Sequence, residues 1–237
     1  MATQPPQQDE AQRFHAFFDN SSEGFFTELG VSHPTKGSAT WALEAAGWIG
    51  VLIEPQPDVA AFLVTARSAK VFPVACDAPD RAGGPLPLRV AGPLSSIGVG
   101  PSSATAASNY VIMVPTRTLD NILQEAEAPM PLDLLVLDTG GRELDALLGF
   151  DFKRWRPRLI AIADPIIDLQ RHRFLRESGY RLICRVGRRG WYVPAGSPAA
   201  ARRERWPILR DYYLKLPFRM AWHALRRLNA RIMASAD

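Results

Sequence analysis

Three short apolar runs constrain the fold more than any other feature: Trp48–Ile53 (WIGVLI), Leu132–Leu137 (LDLLVL) and Arg158–Ala163 (RLIAIA). Each is too short for a buried helix and lacks the polar alternation of a half-exposed strand, so each reads as a strand covered on both faces. Helical stretches separate them, over Ser38–Ala46, Asp58–Arg67, Thr118–Glu127, Glu143–Leu148 and Asp168–Ser178. Gly24–Leu29 and Lys70–Ala75 complete the parallel set, and Ala11–Phe18 predicts a short helix ahead of it. Strands alternating with helices of about ten residues require a doubly wound, mostly parallel α/β sheet.

The end of the pattern differs. Tyr180–Val186 and Gly190–Val193 flank Gly187-Arg188-Arg189-Gly190, a turn too short for a helical crossover, so these two strands form an antiparallel hairpin. A Rossmann-like sheet that ends in such a hairpin resembles the plan of class I S-adenosylmethionine-dependent methyltransferases. The stretch Arg81–Asn109, rich in Gly, Pro, Ser and Ala, interrupts the alternation; a connection of that length is functional or holds short strands of its own.

In sheets of this kind ligands bind beyond the carboxyl ends of the strands. The residues found there are Glu28, Gly30, His33 and Ser38 after the first strand, and Glu54 after the second. Cys76 and Asp77 follow the third, and Asp138 and Glu143 the fourth. An acid after the second strand suits a ribose, whose adjacent hydroxyls one carboxylate accepts together. The structural alternatives are plain: Glu54-Pro55 stops a strand, Gly30 makes a turn, Asp138 caps a helix and His33 is a solvated loop histidine. Asp164 is a candidate cap, Thr118 a candidate N-cap, and Arg117 a candidate contact for an anionic substrate group. His15, His172 and His223 are scattered without metal-ligand spacing, and Cys184 reads as core.

Taken in order, GFFTELGVSHPTKGSAT, GWIGVLIEPQP, VPTRTLDNIL and LDLLVLDTGGRELDALLGFDFKRWRPRLIAI resemble the FkbM-type methyltransferases over residues 23–194. The matching motifs are a Glu-x-Gly after strand one, a Glu-Pro-x-Pro after strand two, a Thr-Leu-Asp element and an Asp…Glu segment with a downstream Gly-Phe. Ser95–Ile97 resembles the family's short serine element. The resemblance implies S-adenosylmethionine as methyl donor and a hydroxyl acceptor, a sugar of a glycan or lipid-linked glycan. It also implies that Glu28 and Gly30 face the methionine end of the cofactor, that Glu54 binds its ribose, that Cys76 or Asp77 lies near adenine, and that Asp138 and Glu143 line the acceptor side.

Two segments depart from the family. Gly30-Val31-Ser32-His33-Pro34 stands where Gly-Ala-Asn-Asp-Gly is usual, and Asp138-Thr139-Gly140-Gly141-Arg142-Glu143 lacks the middle carboxylate. Those changes keep an alternative open: a methyltransferase-like scaffold or binding protein without catalysis. For the enzyme, methyl transfer to a hydroxyl needs positioning and a base within hydrogen-bond reach. Asp138 is the base that position suggests, and His33 the one that imidazole chemistry suggests.

Charge is unevenly spread. Residues 202–231 hold nine Lys/Arg against two acids, a net +7, which leaves the rest of the chain at −3. Phe218, Ala221, Trp222, Leu225, Leu228 and Ile232 recur at helical spacing among arginines, the composition of a helix lying in a membrane interface; packing on the body or in a homo-oligomer is the alternative. Nucleic acid is not expected as a partner. The chain thus divides into a polar N-terminal segment with a short helix (1–22), a methyltransferase-like domain (23–194), and a linker with a basic helical tail (195–237). With no apolar run near 18 residues, no secretory signal and two cysteines, the expected setting is cytoplasmic, with the tail reaching the inner face of the membrane.

Overall fold

The computed structural model describes residues 6–90, 96–97, 110–165, 169–202, 208, 210–222 and 225. Its main sheet contains β1 (Phe25–Leu29), β2 (Ile49–Ile53), β3 (Lys70–Phe72), β8 (Leu134–Leu137), β9 (Leu159–Ala163), β10 (Tyr180–Val186) and β11 (Arg189–Pro194). They lie in the order β10-β11-β9-β8-β1-β2-β3. The pairings of β1 with β2 and β8, of β2 with β3, and of β8 with β9 are parallel, and β11 is antiparallel to both its neighbours. This is the doubly wound α/β class I methyltransferase architecture that the sequence predicts, and the reversal of strand direction falls at the predicted hairpin.

Successive residues of the strands serve opposite faces. Phe25, Leu29, Ile53, Leu135 and Ile160 join the core beneath α4 (Leu119–Glu125), α5 (Glu143–Leu148), α6 (Phe152–Trp155) and α7 (Gln170–Glu177). Phe26, Leu52, Val136 and Ala161 join the opposite core, under α1 (Pro6–Phe17), α2 (Trp41–Ala45) and α3 (Pro57–Ala66). Phe14 stacks on Trp191 with ring centroids 4.7 Å apart, and Phe18 meets Trp48 edge to face. Burying two phenylalanines contributes about 1.5–3 kcal/mol each, which holds a helix too short to be stable alone.

Two expectations change and one is met. The strand expected over Lys70–Ala75 breaks at Pro73, where the chain has no N–H to give; the Val74 N–H turns back to the Phe72 carbonyl at 2.9 Å. A second sheet begins there, in the order β4 (Ala75–Cys76), β7 (Tyr110–Arg117), β5 (Pro85–Val90) and β6 (Ser96–Ile97). The stretch Arg81–Asn109 therefore contributes strands, and Ser96–Ile97 of the serine element pairs with β5. The segment from Ala195, expected as a linker, is packed: Pro198–Arg202 forms a 3₁₀ turn, with Ala199 and Ala200 against the core. Thr118 does cap α4, its hydroxyl accepting the Asn121 N–H at 3.2 Å.

Candidate active site

The carboxyl ends of β1, β2, β8 and β9 define one edge of the sheet, and the β10–β11 turn joins it because Arg189 pairs with Ala163. The candidate residues along this edge differ sharply in how the protein itself uses them.

Glu54 sits at the end of β2, and burial pushes its carboxyl up to about 7. Its hydrogen bond within the protein comes from the Gln56 N–H to Oε1, at 2.9 Å. No other hydrogen bond reaches the carboxylate among the described residues, so it retains acceptor capacity.

Glu28, also buried, is already fully engaged. Its oxygens accept from the Ser38 hydroxyl at 2.9 Å, the Ala39 N–H at 2.9 Å, the Thr40 N–H at 3.3 Å and the Thr40 hydroxyl at 2.6 Å. Ser38 in turn accepts from Arg67, which also reaches the Pro34 carbonyl and Thr40. Glu28 and Ser38 thus hold the loop that leads into α2. Gly30 has φ +80°, and a Cβ there would lie 2.1 Å from the Asp138 carbonyl oxygen. Glycine is required at this position because two backbone segments of the protein meet.

His33 is half-exposed, and its Nδ1 accepts the N–H groups of Thr35 at 3.1 Å and Lys36 at 3.0 Å. The ring meets Phe62 edge-on, and no contact joins it to Asp138 or Glu143 among the described residues. In this structure Nδ1 of His33 serves as a turn acceptor.

Asp138 follows β8 and is paired with two arginines, Arg188 and Arg189, the latter at 2.9 Å. Arg188 is 72% exposed, whereas Arg189 is buried and also pairs with Glu10 of α1. Burial alone would lower the pKa of Arg189, but Glu10, Asp138 and Glu28 outweigh it and hold the guanidinium charged.

Glu143 is buried at the start of α5. Its Oε1 accepts the N–H groups of Thr139 and Gly141, both at 3.0 Å, while Oε2 lies 3.6 Å from buried Arg171 without a hydrogen bond. Gly140 and Gly141 both have positive φ, which lets the loop curl around that carboxylate. The glycine standing where the family has its middle carboxylate thus belongs to a tight turn closed by Glu143.

Asp77 is buried and accepts from the Ala78 N–H, Arg81 and Arg142. Burial would raise its carboxyl, but these donors outweigh it and hold the pKa below the usual value. Burial pushes the Cys76 thiol far above its usual pKa, and its sulfur lies in the core. Arg117 pairs with Glu125 at 2.6 Å and so stays on α4.

Comparison with known proteins assigns the family. The model of the methyltransferase FkbM domain matches residues 31–182, well over half of the chain. The chain belongs to the FkbM methyltransferase family. The FkbM match takes in the His33 loop, Glu54, Asp77, Asp138 and Glu143, and membership makes this an S-adenosylmethionine-dependent methyltransferase. Among solved structures, a METTL16 methyltransferase domain described as "delta-N" aligns at a TM-score of 0.39 and 9% identity, over 81% of this chain and 82% of that one. No curated protein matches the chain.

The sequence reading missed Glu10, Arg188 and Arg189. For the arginines a signal existed: a hairpin whose first strand runs parallel to β9 places its turn at the carboxyl edge, and Gly187-Arg188-Arg189-Gly190 is that turn.

Proposed function

We propose that this FkbM domain transfers the methyl group of S-adenosylmethionine to a sugar hydroxyl of a glycan or lipid-linked glycan. Glu54 carries the reading. A buried carboxylate with one internal hydrogen bond fits a pair of adjacent ribose hydroxyls, which would donate to it and favour its ionised form. Glu28, Asp77 and Gly30 are held by the protein's own contacts on the same edge, where the rest of the cofactor would lie.

When bound, the cofactor supplies an electrophilic methyl on a sulfonium; the carbon–sulfur bond breaks as the carbon–oxygen bond forms. The acceptor hydroxyl must shed its proton, and Asp138 is the carboxylate in position to take it. An ion pair to an arginine as exposed as Arg188 is worth under about 1 kcal/mol, so an incoming hydroxyl can displace it. Arg189, buried and anchored by Glu10, keeps Asp138 in place meanwhile.

The test is release of S-adenosylhomocysteine in the presence of a panel of soluble and lipid-linked glycans. Release stimulated by a sugar acceptor and abolished in Asp138→Asn is expected. Cofactor binding with no release on any acceptor would instead favour the non-catalytic scaffold, which the engagement of Asp138 and Glu143 within the protein also suits.

A further inference from the structure

Among the described residues, no helix is long and apolar enough to cross a membrane, yet the C-terminal segment exposes a row of large apolar side chains. One side of this segment is anchored. Ile208 is buried in the core that holds α4 to α7, Leu216 packs against the same core, and the Tyr213 hydroxyl lies 3.4 Å from Nε2 of buried His172. The other side faces outward. Phe218, Trp222 and Leu225, spaced at i, i+4 and i+7, form one helical stripe and are 78%, 62% and 55% exposed. Leu214, just before the helix, is 54% exposed.

We propose that this stripe docks the protein on an anionic lipid surface. The partner must satisfy two properties at once: hydrocarbon for Phe218, Trp222 and Leu225, and negative charge for a segment carrying +7 over residues 202–231. A second copy would present the same basic segment, setting +7 against +7. Nucleic acid would meet the charge but offers no apolar layer to the stripe. An anionic bilayer meets both, with rings and leucine entering the acyl boundary while Lys215 and Arg219 lie at headgroup level. The remainder of the chain, at −3, is repelled by the same surface, which orients the molecule tail-down. Docking is independent of the identity of the methyl acceptor.

The test is co-sedimentation of the full chain with vesicles of phosphatidylcholine, alone or mixed with phosphatidylglycerol. Binding should require phosphatidylglycerol and fall about tenfold or more when salt is raised to several times the physiological level. It should fall by a similar factor in Phe218→Ser/Trp222→Ser, whose side chains are exposed and whose unfolding curve should match the wild type. Equal binding by that variant, equal binding to pure phosphatidylcholine, or no binding by the wild type would each overturn the proposal. So would a dimer in gel filtration that the double variant converts to monomer, since the stripe would then be a self-interface.

Discussion

Glu28 and Glu54 end neighbouring strands of one sheet, both buried, and their environments are opposite. Glu28 accepts four hydrogen bonds from the loop at residues 38–40, whereas Glu54 accepts one, from its own turn. The contrast extends along the edge: Asp138 is clamped by arginines, Asp77 by Arg81 and Arg142, and Glu143 by its own loop through Oε1 alone. Burial alone does not mark a ligand-binding acid. An under-used carboxylate is the stronger candidate, and among the described edge acids two groups qualify: Glu54, with one internal hydrogen bond, and Oε2 of Glu143, with none.

The largest effect should come from the clamped side. Replacing Arg189 by Leu leaves Glu10 and Asp138 buried without their shared cation, and should cost about 3–5 kcal/mol in denaturant unfolding. A loss under about 1 kcal/mol would mean that the clamp is not structural. Glu28→Gln comes next. It turns an amide N–H₂ toward donors that need an acceptor, and about 2–4 kcal/mol of stability should go.

Glu54→Gln should behave in the opposite way. The folded state holds Glu54 near 7 against an ordinary 4.5, so it binds a proton that the unfolded chain has released between those values. Wild-type stability should therefore fall as pH rises from about 4.5 through 7 and level off above, by about 3 kcal/mol in total. Glu54→Gln should lose that component, so its stability relative to wild type rises between pH 4 and pH 8. An unchanged pH profile would remove the contrast with Glu28. The smallest effect is expected at Arg188: Arg188→Ala should shift stability by under about 1 kcal/mol, because its side chain is 72% exposed. It should nonetheless alter the KM for the acceptor, which steady-state kinetics would detect.

The sheet was legible because its strands are continuous apolar runs and because a four-residue turn forces a hairpin. The second sheet was hidden, since β4 has two residues and β5 contains two prolines, which weakens any strand pattern. At the site, position along the chain named the acids correctly as edge residues but could not tell their uses apart. That distinction depends on partners far away in sequence: Arg142 for Asp77, Arg188 for Asp138, and Glu10, which lies 179 residues from the Arg189 it neutralises. The turn role of His33 was hidden for a local reason. The two N–H groups that consume its Nδ1 follow from the turn after Pro34, and residue type alone does not reveal that turn.

Calorimetric titration with S-adenosylhomocysteine at pH 8 tests the role of Glu54 most directly, using wild type, Glu54→Gln and Arg188→Ala. Removing a charged acceptor from two hydroxyls should weaken binding at least about tenfold in Glu54→Gln, while Arg188→Ala retains wild-type affinity. Wild-type affinity should also rise from pH 6 to pH 8 as Glu54 ionises, and that rise should vanish in Glu54→Gln. Equal affinity of Glu54→Gln and wild type, or no wild-type binding at millimolar ligand, would contradict the account.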